Sequence, residues 1–130
     1  MWTAGACEAH APIGDYPRYA QWAEEYFAIP HRGVKRGVGG IFYDHLEGDF
    51  AEHLAFSKAV GEAFLEAFPK IVRRRMHQPS SEADRARMLA FRGRYAEFNL
   101  VYDRGTLFGL KTGGNIDAIL MSLPPVATWA

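Results

Sequence analysis

The stretch HRGVKRGVGGIFYD, residues 31–44, decides the interpretation of the fold because it places three cations, four glycines and an apolar run side by side. Glycine lets a backbone approach a ligand closely, and arginine holds a carboxylate or phosphate in a fork of hydrogen bonds. The apolar run from Val38 to Tyr43 predicts a buried strand. The stretch therefore predicts a glycine loop for an anionic ligand, held in place by a sheet.

The composition limits what the rest of the chain can be. Its 130 residues suffice for one domain, and its 15 basic and 15 acidic side chains give a formal charge of zero, which argues against a nucleic acid as partner. No apolar run approaches the roughly 20 residues of a membrane helix, so we expect no membrane insertion. The single cysteine, Cys7, cannot form an internal disulfide. We therefore expect a cytoplasmic protein in a reducing compartment.

Capping residues and apolar spacing predict the helices. Residues 1–14 are expected to be a disordered or truncated N-terminal segment, and residues 15–130 to form the domain. Asp15 begins a helix whose aromatic stripe is expected to be core, and which Pro30 ends. Asp49 caps the longest predicted helix, which contains Pro69 and ends in three arginines. Ser81 with Asp84 begins another, with its end expected at Gly93.

Three apolar runs predict strands, which gives an α+β fold with an antiparallel sheet flanked by helices. They are residues 38–43, 95–102 and 119–123. Polar groups lie at the strand ends, where a sheet can gather distant residues into one site. They are Arg32, Lys35 and Arg36 before the first strand, Asp103 and Arg104 after the second, and Gly113, Gly114 and Asn115 before the third.

Each of these polar groups has a functional and a structural interpretation. His31 is either a metal ligand or general base, or a structural histidine. Asp103 beside Arg104 is either catalytic or a local ion pair that holds a turn. The glycine pairs do not follow the spacing of a dinucleotide-binding or P-loop motif, so those functions are excluded.

Two long blocks resemble one known family. Residues 22–44, WAEEYFAIPHRGVKRGVGGIFYD, and residues 93–110, GRYAEFNLVYDRGTLFGL, are similar to the signature segments of oxygen-dependent coproporphyrinogen III oxidase. The later segments TGG at residues 112–114 and ILMSLPP at residues 119–125 follow in the same order. The likeness runs from about residue 11 to Trp129, and it matches only the C-terminal half of the longer family members.

The resemblance implies roles for particular residues. His31 matches a metal-associated histidine, and Gly113, Gly114 and Asn115 match a substrate-contacting Gly-Gly-Arg in which asparagine replaces the arginine. Arg32, Arg36 and Arg104 would be propionate contacts or fold-holding ion pairs. Three further positions depart from the signature: Ala23 replaces a cysteine, Val34 a glutamate and His45 an aspartate. The family's proton-donor histidine lies in the N-terminal half, so the catalytic residue is unknown here.

The implied reaction converts two propionates of coproporphyrinogen III to vinyl groups, giving protoporphyrinogen IX and carbon dioxide. The resemblance implies no organic cofactor, molecular oxygen as co-substrate, a possible divalent metal, and a homodimer whose interface the segment around Leu107 to Met121 helps to form. A second hypothesis is a truncated, non-catalytic relative that dimerises or binds tetrapyrrole. A third is a gene fragment whose other half is encoded upstream.

Overall fold

A computed structural model describes residues 2–129, and the predicted domain bounds at residues 1 and 130 lie outside them. Within the described part of the chain there are six α-helices and a two-stranded antiparallel sheet, so the α+β class is confirmed. Two compact units are present, one of residues 2–26 and 39–79, the other of residues 27–38 and 80–129. Of the helices between residues 2 and 129, none is both long and apolar enough to cross a bilayer.

The first unit is helical and packs around an aromatic core. Its helices are α1 (Trp2–Ala9), α2 (Tyr16–Tyr26) and α3 (Phe50–Arg75). The sequence predicted no regular structure for residues 2–9, yet helix α1 buries Thr3, Ala6 and Cys7. Cys7, Tyr19 and Phe56 form the buried centre of the unit. The aromatic stripe of α2 is therefore core on this face, as predicted, since Tyr19 and Ala23 are both buried.

Cys7 is unsuited to thiol chemistry. It has no exposed surface and is a free cysteine. Burial raises the pKa of the Cys7 thiol, and the carboxylates of Asp15 and Glu8 raise it further. Because the thiolate is the reactive form, this thiol is chemically quiet and acts as a small apolar side chain.

The second unit combines a short hairpin with three helices. Its elements are β1 (Ala28–Ile29), a 3₁₀ turn (Pro30–Arg32), β2 (Val34–Lys35), α4 (Glu82–Val101), α5 (Arg104–Lys111) and α6 (Ile116–Leu120). Strand β1 packs on α4. Ile29, Ala96 and Phe98 are buried in this unit, so one strand residue and the buried part of α4 around Phe98 supply its core.

The first predicted strand, residues 38–43, is irregular. Gly39 and Gly40 have φ values of +109° and +156°, which residues other than glycine rarely adopt. The apolar side chains nevertheless pack inward, since Ile41 and Tyr43 contact the core and Phe42 stacks on Tyr26 with ring centroids 4.6 Å apart. A strand requires a neighbour to take its backbone hydrogen bonds, and among residues 2–129 only β1 and β2 pair. The segment is thus buried by its side chains without ladder pairing.

The other two predicted strands are helical. Residues 95–101 belong to α4, and residues 119–120 to α6, which a turn follows. Helix α4 continues through Gly93, which was predicted to end it. Gly93 serves instead for close packing, because a Cβ placed there would lie 2.2 Å from the carbonyl oxygen of Thr128. The strand predictions were therefore wrong at these positions, although the class was right.

The three predicted helix caps are confirmed. Asp15 accepts from the amide of Arg18 at 3.1 Å, and Asp49 accepts from Ala51 at 2.7 Å. Ser81 and Asp84 form a reciprocal capping box, in which the Ser81 hydroxyl accepts from the Asp84 amide at 3.1 Å and the Asp84 carboxylate accepts from the Ser81 amide at 2.9 Å. Local side-chain chemistry therefore fixes where these helices begin.

Replacement of Ser81 by alanine is expected to lower the free energy of unfolding by about 1 kcal/mol, the typical cost of losing a serine cap. The alanine leaves the Asp84 amide without its capping acceptor at the start of α4. Urea titration followed by circular dichroism measures the effect. Ser80→Ala, one residue earlier, is the control and should change stability by less than about 0.5 kcal/mol. Equal effects of the two variants would contradict the assignment.

Candidate functional site

The tip of the hairpin carries the cations that the sequence singled out. Strands β1 and β2 pair with Ala28 opposite Lys35 and Ile29 opposite Val34. Between them the 3₁₀ turn ends at Gly33, which has a φ of +62° and donates its amide to Pro30 O at 3.1 Å. A left-handed residue at this point is typical of glycine. The tight turn thereby presents His31 and Arg32 side by side.

A buried carboxylate on α4 holds both of these side chains. Glu97 is only 9% exposed, and its two carboxylate oxygens accept from Arg32 Nε at 2.8 and 2.9 Å. His31 Nε2 bonds to the same carboxylate. The other ring nitrogen of His31, Nδ1, lies 2.5 Å from the hydroxyl of Tyr102, which caps the end of α4. Four polar side chains therefore tie the hairpin tip to the last two turns of one helix.

The charges in this network stabilise each other. The hydrogen bond from Arg32 is the main cause that lowers the pKa of Glu97, and the bond from His31 also lowers it. Burial of the carboxylate acts in the opposite direction and raises this pKa, but by less. In turn, the hydrogen bond to Glu97 and its charge raise the pKa of Arg32. A carboxylate of this kind stays ionised at neutral pH, since both of its neighbours favour the charged form.

Glu97→Gln is expected to remove a pH-dependent part of the stability. The pKa of Glu97 is lower in the folded chain than in the unfolded chain. The Glu97 carboxylate therefore contributes its full share of the folding stability above the ordinary glutamate pKa of about 4.3, and this share is lost as the pH falls through the lowered pKa. The variant should therefore melt below the wild type at pH 7, and the difference should shrink as the pH falls below the ordinary glutamate pKa. Thermal melts across a series of pH values measure this difference. Glu62→Gln, on the exposed surface of α3, is the control. A difference that does not shrink as the pH falls would contradict the prediction.

Arg36 lies in an aromatic environment. Its guanidinium carbon is 3.9 Å from the ring centroid of Phe27, 5.0 Å from that of Tyr95 and 5.2 Å from that of Phe98. The Arg36 amide also donates to Phe27 O at 3.0 Å. Cation–π contacts of this kind fix a guanidinium against a helix face. The side chain of Arg36 therefore holds the end of the hairpin on α4.

Gly113, Gly114 and Asn115 form the turn between α5 and α6. Gly113 has a φ of +73°, and Gly114 donates to Gly109 O at 2.9 Å. The Asn115 side chain caps α6 by accepting from the amides of Asp117 at 3.1 Å and Ala118 at 3.4 Å. An arginine cannot accept such bonds, so asparagine at this position serves the turn. Substrate contact by these three residues stays a prediction.

Asp103 and Arg104 lie at the beginning of α5. The Asp103 carboxylate caps this helix by accepting from the Thr106 amide at 2.7 Å. Arg104 is the first residue of α5 and is exposed. The Asp103 carboxylate thus holds the start of α5 as a cap, whereas the ion pair between Asp103 and Arg104 and a substrate contact by Arg104 stay predictions.

The surroundings of His31 do not by themselves fit a metal ion. Both ring nitrogens are engaged, one by Tyr102 and one by the carboxylate that also binds Arg32. Across residues 2–129, no three histidine, cysteine, aspartate or glutamate side chains are grouped to hold one ion. A metal at His31 would have to displace one of these partners and take its other ligands from elsewhere, so it stays a prediction.

Sequence reasoning missed Glu97 and Tyr102 as partners of His31 and Arg32. In the strand predicted for residues 95–102, Glu97 alternates with apolar neighbours, and this pattern indicates no particular partner for its carboxylate. In the folded chain Glu97 is buried between Ala96 and Phe98 and needs a cation, but this burial depends on the tertiary structure, so the sequence contains no signal for it. Next to Glu97 lies a cavity of about 70 Å³, which Arg32 and Arg94 also line, together with Thr128 and Trp129.

A comparison with known protein families matches the same stretch of chain. The family model described as coproporphyrinogen III oxidase covers residues 2–130, which is nearly the whole sequence. Its span includes the hairpin, the Glu97 network and the turn at residues 113–115. The chain therefore belongs to the coproporphyrinogen III oxidase family, whose members act as oxidoreductases in porphyrin biosynthesis.

Proposed function

We propose that this chain forms one wall of a site in which molecular oxygen oxidatively decarboxylates coproporphyrinogen III to protoporphyrinogen IX. Membership of the family supports the substrate. The observation that carries the proposal is that Glu97 holds Arg32 through Nε, the only guanidinium nitrogen of Arg32 that forms a hydrogen bond within residues 2–129. A guanidinium has further N–H groups, and these suit a second carboxylate such as a propionate.

The reaction makes defined demands on such a wall. Each propionate loses its carboxylate as carbon dioxide, and the carbon next to the ring loses one hydrogen as a proton. The vinyl double bond forms between the two remaining carbons, and two electrons pass to molecular oxygen. The site must hold the propionate, and it must exclude water from the reacting carbon. In this proposal Arg32 binds a propionate, and Glu97 keeps the guanidinium ionised and oriented.

The remaining predicted residues take supporting roles. Arg36 is a positioning residue, since its contacts with Phe27, Tyr95 and Phe98 hold the hairpin on α4. Arg104, Gly113, Gly114 and Asn115 are proposed as further substrate contacts on the resemblance alone. The reaction is proposed to use no organic cofactor, and a divalent metal at His31 and a cytoplasmic location are proposed on the same basis.

The proposal includes a requirement for an N-terminal half. By the resemblance, the proton-donor histidine, an Asn-x-Arg motif and an aspartate that faces the pyrrole nitrogens belong to a half of the family sequence that this chain does not match. We propose that this half must be supplied for turnover, either upstream in the same polypeptide or as a separate chain. Translation of the DNA ahead of Met1 tests the first possibility directly.

Turnover under controlled oxygen tests the proposed activity. The chain, alone and with a family N-terminal half, is incubated with coproporphyrinogen III in air and under argon, and the product is measured as protoporphyrin fluorescence after oxidation. We expect product only in air and only with both halves. Arg32→Ala should raise KM about tenfold, as for loss of one charge-assisted hydrogen bond, while Arg92→Ala on α4 should leave it unchanged. No product with both halves would overturn the proposal.

A non-catalytic, tetrapyrrole-binding relative is the second candidate. It is favoured by Asn115, whose side chain caps α6 and offers no guanidinium to a propionate. Titration of coproporphyrin into the chain separates the two. Binding without turnover, even with the N-terminal half present, would support the second candidate, and absence of both would exclude it.

A further inference from the structure

The small cavity beside Glu97 lies where three segments of the second unit meet. Helix α4 supplies Ala90, Arg94 and Glu97, which follow one another at spacings of four and three residues and so share one face of the helix. The hairpin tip supplies Arg32, and the C-terminal segment supplies Thr128 and Trp129. Segments that are far apart in the sequence therefore enclose one space.

The charges around this cavity do not balance. Arg32 Nε donates to both oxygens of the Glu97 carboxylate, at 2.8 and 2.9 Å, and His31 bonds to the same carboxylate. The one carboxylate that lines the cavity is thus engaged by the hairpin. Among the described residues, no carboxylate forms an ion pair with Arg94. Two guanidinium groups against one carboxylate give the cavity a positive charge, which favours an anion.

Both arginines have hydrogen-bond donors to offer. The guanidinium carbon of Arg94 lies 4.9 Å from the ring centroid of Phe91, so Arg94 is positioned by a cation–π contact. Such a contact uses the face of the guanidinium and leaves the N–H groups in its plane available. Arg32 has further N–H groups beyond the Nε that Glu97 holds. Two planar forks that line one cavity suit a planar oxyanion, whose oxygens accept pairs of such bonds.

The size of the cavity limits what it can hold. A cavity of about 150 Å³ accommodates benzene, with its six heavy atoms, so a volume of about 70 Å³ has room for about three or four heavy atoms. A tetrapyrrole is far too large to enter. Formate and bicarbonate have three and four heavy atoms respectively, and both are planar oxyanions.

The C-terminal segment forms one wall of the cavity. The Thr128 amide donates to Leu89 O at 3.2 Å, and the absence of a side chain at Gly93 lets the Thr128 backbone cross α4 closely. Trp129, the next residue, lines the cavity although it is 60% exposed. A wall that excludes water strengthens the attraction between an anion and the two guanidinium groups.

We propose that the cavity between Arg32 and Arg94 binds a small free oxyanion of the formate and bicarbonate class, which the C-terminal segment holds against α4. The binding of the anion does not depend on the proposed reaction. The choice of bicarbonate as the natural occupant rests on the proposed function, because that reaction releases carbon dioxide, whose hydrated form is bicarbonate. The free anion and a propionate would then compete for Arg32.

Nuclear magnetic resonance of the full chain tests the site without turnover. Sodium formate and sodium bicarbonate are titrated at constant pH and ionic strength, and the Trp129 indole resonance is identified from its loss in Trp129→Phe. Each anion should shift this resonance and the Thr128 amide saturably, and a dissociation constant of about 1 mM is the tightest expected for a ligand of three atoms. Chloride, which cannot accept a pair of parallel hydrogen bonds from one fork, should bind at least tenfold more weakly. Failure of both oxyanions to saturate would overturn the proposal.

Three arginine variants test the assignment to Arg94. Arg94→Gln should raise the dissociation constant for formate at least tenfold, whereas Arg92→Gln removes the same charge from the exposed surface of α4 and should leave it unchanged. Arg94→Lys keeps the charge but loses the fork, so its affinity should lie between those of the wild type and the glutamine variant. Unchanged circular dichroism melts show that each variant folds. Equal affinities of Arg94→Gln and Arg92→Gln would contradict the assignment.

Titration with coproporphyrin distinguishes a free anion from the carboxylate of a larger molecule. If coproporphyrin shifts the Trp129 indole resonance while formate and bicarbonate do not, the cavity accepts a carboxylate arm and the proposal is wrong. If formate binds but the chain with its N-terminal half gives no protoporphyrin, the anion site stands and only the proposed reaction fails. Saturable binding of formate and bicarbonate that depends on Arg94 is the expected result.

Discussion

Phe56→Ala is expected to lower the free energy of unfolding of the first unit by about 3–5 kcal/mol, the usual cost of removing a fully buried phenylalanine ring. Phe56 has no exposed surface. Its ring centroid lies 5.1 Å from that of Tyr43, 6.0 Å from that of His10 and 6.1 Å from that of Tyr19. Loss of the ring therefore removes contacts with three segments of the unit at once.

Chemical denaturation followed by circular dichroism measures this loss. Phe56→Leu keeps most of the apolar volume, so it should cost clearly less than the alanine variant. Phe50→Ala, on the same helix but 78% exposed, is the surface control and should cost little at protein concentrations where the chain is monomeric. An effect of Phe56→Ala below about 1 kcal/mol would show that this aromatic cluster does not stabilise the unit.

Gly93→Ala is expected to destabilise the second unit, although alanine ordinarily favours a helix over glycine by about 1 kcal/mol. The added Cβ would lie 2.2 Å from Thr128 O and 3.1 Å from Thr128 C, where the C-terminal segment crosses α4. The same crossing is held by a hydrogen bond from the Thr128 amide to Leu89 O at 3.2 Å. Since a backbone cannot yield as a flexible side chain does, we expect a net cost of about 1–3 kcal/mol.

Gly5→Ala is the matched control, because a Cβ at Gly5 in α1 meets no heavy atom within 4 Å. It should stabilise the chain by about 0.5–1 kcal/mol, so the two alanine variants differ in sign. Hydrogen exchange at the Thr128 amide gives a local readout, and exchange there should accelerate in Gly93→Ala. If Gly93→Ala stabilises the chain as Gly5→Ala does, this result would contradict the close approach of the Thr128 backbone to Gly93.

The prediction of the candidate site was partial for a physical reason. Arg32 and His31 could be chosen from the sequence because charged residues in a glycine-rich turn are exposed to a ligand or a partner. Their partner Glu97 is 65 and 66 residues away, and no local pattern connects them. Likewise, the cation Arg36 was chosen for anion binding, but its position among aromatic rings depends on packing across the hairpin and α4.

The sequence by itself determined the family, the α+β class, the beginnings of the capped helices and the aromatic face of α2, because these depend on residues within a few positions of one another. Only the tertiary structure decided that residues 95–101 continue a helix, that residues 38–43 follow an irregular path, and that Gly93 accommodates a crossing backbone. A period-two pattern over eight residues does not separate a strand from a helix unless its partners are known, since a strand is stabilised by hydrogen bonds to a neighbour and a helix by its own. The contact of the buried Glu97 with Arg32 and His31 likewise joins residues that are distant in the sequence, so it forms only when the chain folds.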